Sequence, residues 1–545
     1  MSEHPGIEGK KFKIETQIFY EGEPKEESAT FLKIKIPQTL FAGEHIKIKV
    51  DDLISLLRNE GQLEKYGLFG FDTFLSPFTW RYGSKEMRKL FSVLNERVVL
   101  PGKIWVAVAK IQAKHEIIRQ EQYEDIKNGI ENADQYQVLL RSLELEKTFK
   151  HDVIATKEAF AEFCPEGGSV IHHGMTSMDI VNNVEALILQ EALEITQTRI
   201  TELLNSLVNL MKDNLDLVCM GWTHLRSAEP TTFSYRFAQY AQDLLNDLQS
   251  LKNLKIKGKG FKGATGTSAS YEEMFKDTGY DAEFFEMSVL KELNFEAFTV
   301  TNQTSPRKQD HEVTQLLARI GQSIHRMAQD IRLLTSSPFM EVSEPTSSGQ
   351  KGSSAMAHKL PNPINSENMC SLTRILMAFE QIAWINASTT ALERTLDDSG
   401  NRRVFMPEAF LTTDQVLLQA AKVIQGLIIN KKVIRANLDK FGLFAGTENL
   451  LTKMVEKGMN RQEAHNIIND LCTKAWQAIQ KGKKNPLIKL FHENGYIKDF
   501  FQTIDSSFTT DEITKILTSY SEHIGNAAQK TQKLITEIKT ELSNT

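Results

Sequence analysis

Several separate segments of the chain carry residue types that can do chemistry. The stretch KGSSAMAHKLPNPINSEN (351–368) sets Ser353 and Ser354 beside a glycine, with Lys359, two prolines and a helix start following. Paired serines on a loop near a lysine suit deprotonation of a carbon acid next to a carboxylate. A desolvated serine would be the base, while the lysine charge and backbone donors would stabilise the enediolate that forms. An ordinary Ser/Gly/Pro surface loop has the same composition.

Histidines supply the next candidates. His224 lies in GWTHLRSAEPTT, His151 in KHD, and His172 and His173 in IHHGMTSMD. A lone histidine is more often structural or exposed, but three polar, histidine-bearing junctions at the ends of long helices suggest acid–base work. None shows the two-histidine-plus-acid spacing of a metal site, so no metal and no other cofactor is expected. In LERTLDDSGNRR (392–403), Arg394, Ser399, Arg402 and Arg403 form a cluster read as lying at a helix end. Such a cluster suits bidentate phosphate or carboxylate contacts, or simply answers the helix dipole. SPFTWRYGSKEM (76–87) adds Arg81 and Tyr82 in a polar turn. GKGFKG (258–263) matches the dinucleotide fingerprint, but that motif needs a strand before it and a helix after it. Here LLNDLQSLKNL precedes it with helical spacing and GATGTSAS follows as a loop, so a glycine loop offering backbone N–H groups to an anion is expected instead.

Long helices must position these segments. The chain has 545 residues, with only 30 glycines and 14 prolines. Stretches 166–229, 231–305 and 408–485 contain no proline, and neither does 364–406. Within 184–211 the apolar residues Val184, Leu187, Ile188, Ile195, Ile200, Leu203, Leu204, Leu207, Leu210 and Met211 recur at helical spacing. Stretches 236–257, 310–335 and 365–396 read alike, and a bundle is the expected packing of such helices. The one departure is near the start, where FLKIKI (31–36) and HIKIKV (45–50) alternate like two paired strands. The expected fold is all-α, with three helical domains (51–175, 176–405 and 406–545) and a central long-helix bundle. A small β-hairpin appendage occupies 1–50.

Composition excludes other classes. With 64 basic and 70 acidic residues the net charge is −6, which gives no basic excess for nucleic acid. Cys164, Cys219, Cys370 and Cys472 are too widely spaced for a zinc or disulfide pattern. No run of ~18 apolar residues and no secretory leader pattern occurs. A cytoplasmic protein that binds neither nucleic acid nor membrane is the expectation.

Taken in order, the segments resemble the fumarase/aspartase superfamily and, within it, the adenylosuccinate lyase family. The serine loop resembles the signature GSSxMPxKxN, THLRSAEPTT resembles THxxxAEPTT, and HHGMTSMD resembles HxGxTSxD. RYGSKEM, KGATGTSASY, TNQTSPRKQD (301–310) and ERTLDDSGNRR also match, and residues 446–468 resemble the family's C-terminal domain. This chain has Ala357 where the signature has proline, and Pro361 stands between Lys359 and Asn362.

The resemblance implies β-elimination of fumarate from adenylosuccinate, giving AMP, and from SAICAR, giving AICAR, in purine nucleotide biosynthesis. It implies Ser353 as base and His224 as the acid that protonates the departing amine. Lys359 and Asn362 would hold the reacting carboxylate, and His151 with Thr176 and Ser177 would orient acid and succinate. His172 matches a further family histidine. Thr223 and Gln303 would bind substrate, while Arg81, Tyr82, Arg394, Ser399 and Arg403 would hold the nucleotide end. A homotetramer whose subunits share active sites is implied as well. A sister lyase acting on argininosuccinate and a non-catalytic helical scaffold are the alternatives.

Overall fold

Long helices dominate the computed structural model, which describes residues 31–34, 46–49, 74–346, 356, 360–504 and 509–543, and one of them runs through Pro407. Near the start, β1 (Phe31–Ile34) and β2 (Ile46–Lys49) pair antiparallel, with Phe31 opposite Lys49, as their alternation predicts. Short helices α1 (Pro77–Trp80) and α2 (Lys85–Leu90) lead through a π-helical turn, Asn95–Val99, into α3 (Leu100–Lys114), α4 (Gln120–Asn132), α5 (Gln135–Phe149) and α6 (Asp152–Ala161). The bundle begins with α7 (Ser177–Asp213), continues through a hairpin of β3 (Val218–Thr223) and β4 (Arg226–Thr232), and returns as α8 (Phe233–Asn253). After α9 (Ala269–Phe275) and α10 (Ala282–Leu293) come three long helices. They are α11 (Lys308–Thr335), α12 (Ile364–Thr389) and α13 (Asp397–Gln425).

Side-chain pairs fix how these helices run. His325 on α11 meets Thr373 on α12 at 2.9 Å, and His311 faces Glu380 at 3.8 Å, so the two helices are antiparallel. Gly321 lets them close, because a Cβ there would stand 2.5 Å from Leu376. Asn386 pairs with Asn401 at 2.7 Å and Asn365 with Gln419 at 3.1 Å, so α13 reverses again. Against α7, the pairs Glu185–Arg402, Arg199–Asp414 and Ser206–Gln425 advance together, and α7 and α13 run parallel. The stripe expected on α7 is buried, Val184, Ile188, Ile200, Leu203, Leu204, Leu207 and Met211 included. The bundle therefore has two distinct ends. One holds the N-termini of α7, α11 and α13 with the C-terminus of α12; the other holds the reverse.

The C-terminal helices α14 (Lys431–Glu456), α15 (Arg461–Gln480), α16 (Leu487–Glu493), α17 (Gly495–Ile504) and α18 (Thr510–Thr518) close around a second apolar cluster that includes Leu450, Phe491, Phe501 and Leu517. The final helix, α19 (Ala527–Ser543), returns to the main core through Leu534, Ile535 and Ile538.

Two readings of the sequence need correction. The helix expected over 365–396 stops at Thr389, and α13 starts afresh at Asp397. The arginine cluster thus spans a helix N-terminus, where Asp397 and Asp398 rather than arginines answer the dipole. The other is THLRSAEPTT, which forms most of a β-hairpin that no strand alternation announced.

Candidate active site

At the first end, the N-terminus of α7 presents Thr176 and Ser177, both half-buried. Thr176 caps the helix, its backbone N–H donating to Asp179 Oδ2 at 3.1 Å. Asp179 is fully buried and bound by the Lys259 ammonium, the Gly263 N–H and the Tyr271 hydroxyl. Burial, then the Asp179 carboxylate, pushes the Tyr271 hydroxyl's pKa well up. The GKGFKG segment is therefore part of the scaffold behind this helix end. Its Gly260 and Phe261 N–H groups donate to Asn183 and Glu286, at 2.9 and 2.7 Å. The anions it serves, Glu286 from Phe261 and Asp179 from Gly263, are the protein's own side chains, which corrects the expectation of an external one. Gly260, at φ +80°, leaves no room for a Cβ beside Glu286.

His172 adopts a positive φ of 75° and accepts a hydrogen bond from Trp105 Nε1 at its Nδ1, 3.2 Å away. Burial above all, then the Lys157 and His151 charges, pushes its pKa down to about 4. Near neutral pH the ring is uncharged, and with Nδ1 accepting, its proton sits on Nε2. His151 caps α6, its Nδ1 lying 3.5 Å from Asp152 Oδ1. Asp152 Oδ2 accepts from Arg403 at 3.1 Å, so one carboxylate joins the KHD segment to α13.

Gln303 reaches the same end. Its N–H donates to the Glu393 carbonyl at 3.0 Å, and Asn302 Nδ2 donates to the Leu392 carbonyl at 3.2 Å. These straps hold 301–305 against the turn that carries Arg394, whose Nη1 lies 3.3 Å from Asp398 Oδ1. Ser399 is half-buried in the first turn of α13. Arg402, by contrast, is buried and committed to Asp310 and Glu185, so it is a structural member of the cluster and not free for a ligand.

The sequence reading missed several acidic groups here, namely Asp152, Asp398, Glu185 and Glu96. Glu96 sits on the π-helical turn, and burial, then the Glu185 carboxylate, raises its pKa. Apolar periodicity carries no signal for a π-turn or for which acid meets which arginine.

The opposite end holds Thr223, His224 and Asn362. His224 and Leu225 form the two-residue turn between β3 and β4, with φ of 54° and 57°. Such a turn ordinarily takes Asn-Gly, so these left-handed side chains store strain of about 1–3 kcal/mol each. Trp222 anchors the hairpin between Phe339 and Phe441, with ring centroids 5.0 and 5.6 Å apart. Asn362 is exposed just before α12, whose N-terminus is capped by Glu344 through the Asn365 and Ser366 N–H groups at 3.0 and 2.7 Å. Ser353, Ser354 and Lys359 lie outside the described residues.

Arg81 and Tyr82 stand on the bundle's flank. The Arg81 guanidinium lies 5.8 Å from the Trp80 and Tyr82 ring centres. Their turn is tied to α13 by Gly83 N–H to Gln415 at 3.0 Å, and the Tyr82 hydroxyl accepts from Asn368 on α12 at 3.5 Å.

One chain thus gathers His151, His172, Thr176, Ser177, Gln303, Arg394, Ser399 and Arg403 at one end, and Thr223, His224 and Asn362 at the other. Phe339, which holds the hairpin, follows the C-terminus of α11, while Gln303 precedes its N-terminus. At 1.5 Å per residue α11 alone separates the two groups by ~40 Å. Among the described residues, the candidates for one site therefore fall into two groups within one chain.

Long helices with polar, histidine- and arginine-bearing junctions at both ends define a helical bundle with its candidate chemistry at the two ends. The family described as "Lyase" matches residues 80–377, and "Adenylosuccinate lyase C-terminus" matches 443–534. Adenylosuccinate lyase of Schistosoma mansoni is 37% identical over 425 residues, covering 77% of this chain and 87% of that protein. The Saccharomyces cerevisiae enzyme of that name is 33% identical over 471 residues, covering 85% and 94%. In fold the chain is similar to a fumarate lyase from Mesorhizobium sp. BNC1, with a TM-score of 0.70, 21% identity, and coverage of 85% of this chain and 99% of that one. The chain belongs to the adenylosuccinate lyase family and is an enzyme of the lyase class.

Proposed function

We propose that this enzyme eliminates fumarate from adenylosuccinate, leaving AMP, and from SAICAR, leaving AICAR, as a step of purine nucleotide biosynthesis. The observation that carries the reading is the grouping at one bundle end of eight residues whose motifs match the family, from segments up to 252 residues apart in sequence. Ser353 takes the proton from the carbon beside the succinyl carboxylate. The electron pair left there forms the carbon–carbon double bond as the carbon–nitrogen bond breaks, and His224 gives the departing amine its proton. Lys359, with Asn362, stabilises the carboxylate on which negative charge grows. The N-terminus of α7, with Thr176 and Ser177, suits a succinate carboxylate, because unpaired N–H groups and the helix dipole favour an anion there. His172, held neutral, donates from Nε2 in the same region, and His151 orients the acid. Arg81, Tyr82, Thr223, Gln303, Arg394, Ser399 and Arg403 bind the rest of the substrate. The reaction calls for no metal or cofactor.

The ~40 Å between the two groups is bridged if copies of the chain assemble so that each site takes one group from one copy and the other from a neighbour. Exposed apolar side chains on α12, Met377 (62% exposed), Trp384 (58%) and Ile385, suit such an assembly. A homotetramer in the cytoplasm is the proposed form. Among the described residues no helix is long and apolar enough to cross a membrane.

The test is direct. Adenylosuccinate is added to the purified protein, and loss of substrate absorbance is followed together with fumarate release. Turnover that drops at least ~100-fold in Ser353→Ala and in His224→Ala supports the roles given. No turnover with adenylosuccinate, but turnover with argininosuccinate, would replace the reading with a sister lyase. No turnover with either would leave a scaffold.

A further inference from the structure

Six ionised side chains, drawn from α7, α11, α13 and the segments that precede the last two, alternate in sign along a buried path. Arg394 Nη1 lies 3.3 Å from Asp398 Oδ1, and Asp398 Oδ2 accepts from Arg307 Nε at 2.6 Å. Arg307 Nη1 stands 3.8 Å from Glu185 Oε2. Glu185 Oε1 accepts from Arg402 Nη1 at 2.5 Å, and Arg402 closes a two-point pair with Asp310 at 2.7 and 3.1 Å. Three guanidinium groups and three carboxylates sum to zero charge, which is what permits such a chain to be buried.

The two ends of this path differ. Asp310 is buried and doubly satisfied by Arg402. Arg394 is only half-buried, and of its five N–H donors the described residues take up one, in a hydrogen bond longer than the others of the path. Burial is the main influence that disfavours its charge, with Arg307 and Arg402 adding to it. An anion arriving at Arg394 meets a half-buried guanidinium, with donors that the described residues do not take up, at the end of a neutral network.

Asp398 is the post on which this arginine is set. It is 2% exposed, lies in the first turn of α13, and its second oxygen is locked by Arg307, itself 4% exposed. It cannot rotate to follow a shifting Arg394. Arg307 closes the segment that carries Gln303, which is also strapped to the Glu393 carbonyl. One carboxylate therefore fixes the Gln303 segment and the Arg394 turn relative to each other.

We infer that Asp398 is a positioning residue for binding the anionic, phosphate-bearing end of the substrate, acting through Arg394 and through the Arg307-tethered Gln303 segment. The inference rests on the proposed elimination reaction and makes no claim on the proton transfers. Loss of the Asp398 charge should therefore weaken binding far more than turnover.

The experiment uses the full-length protein with adenylosuccinate as substrate and AMP as a competing ligand. For Asp398→Asn, a KM raised at least ~10-fold with kcat held within ~3-fold is expected, since a charge-assisted clamp is lost from binding and not from the chemical step. The AMP inhibition constant should rise in parallel. Asp398→Glu keeps the charge and should show a smaller rise. Melting temperature and circular dichroism separate these effects from unfolding, because a purely structural role lowers stability and active fraction while leaving KM unchanged. A wild-type protein without turnover overturns the functional reading itself. An active wild type whose Asp398→Asn variant keeps normal KM and AMP affinity overturns this inference alone. If Asp398→Asn is insoluble, an unchanged KM in Asp398→Glu has the same force.

Discussion

The separation of the two residue groups leads to a quantitative test. His224 stands at one bundle end and His151 at the other, ~40 Å apart by the length of α11. If each site draws them from different copies, two inactive variants should repair one another. His224→Ala and His151→Ala would each be expected to fall at least ~100-fold in turnover when alone. Co-expressed in equal amounts they assort at random among subunits. A site is whole only when the copy donating His224 carries the His151 change and the copy donating His151 carries the His224 change. Each condition holds with probability one half, so about one quarter of the sites, and about one quarter of wild-type activity, should return in a symmetric oligomer. The assay is fumarate release from adenylosuccinate, with native mass spectrometry confirming mixed oligomers. Mixed oligomers with no more activity than the two variants summed would refute the shared site and require both histidines to come from one chain.

Two further outcomes follow from burial. His172 is neutral in the folded protein, with a pKa pushed down to about 4, whereas an unfolded histidine titrates near 6.5. Between those values the unfolded chain binds the extra proton, so this group withdraws up to about 3 kcal/mol of stability as pH falls from ~6.5 to ~4 and none above that window. Denaturant titrations over pH 4 to 7 on wild type and His172→Gln should show a shallower slope in the variant; identical slopes would sink the assignment. The buried Lys259–Asp179 pair gives the second. Lys259→Met strands the carboxylate and should cost about 3–5 kcal/mol, while the double variant with Asp179→Leu should cost less than the two single changes summed, because the stranded charge is gone. Additive costs of the two single changes, measured by urea unfolding, would show that the pair does not hold the start of α7.

Much of the fold was legible because long helices declare themselves. The apolar stripe of 184–211 lies inside α7, and 310–335 inside α11, since a 3.6-residue period with no proline leaves few alternatives. The hairpin over 218–232 was not legible. Its turn residues are His224 and Leu225, with no Asn-Gly, and the tertiary packing of Trp222 holds them in a conformation that local preference disfavours. The break at Thr389 was missed for a related reason: LERTLDDSGN reads on as amphipathic helix. The strapping of 391–394 by Asn302 and Gln303 is contributed by residues some 90 positions away.

The functional residues divide on the same line. Histidines, serines and arginines, named from their types and motif order, needed only the sequence, because the chemistry of a side chain is local. That was enough to point to the lyase family and to most candidate site residues. Tertiary structure decided what those residues do for one another. It committed Arg402 and the GKGFKG segment to the scaffold, made His172 a neutral donor, and set Asp398 behind Arg394. It also placed His224 at the far end of a 28-residue helix from Gln303. Burial, sign alternation and distance depend on which segments meet in space, and a linear order of residues does not contain them.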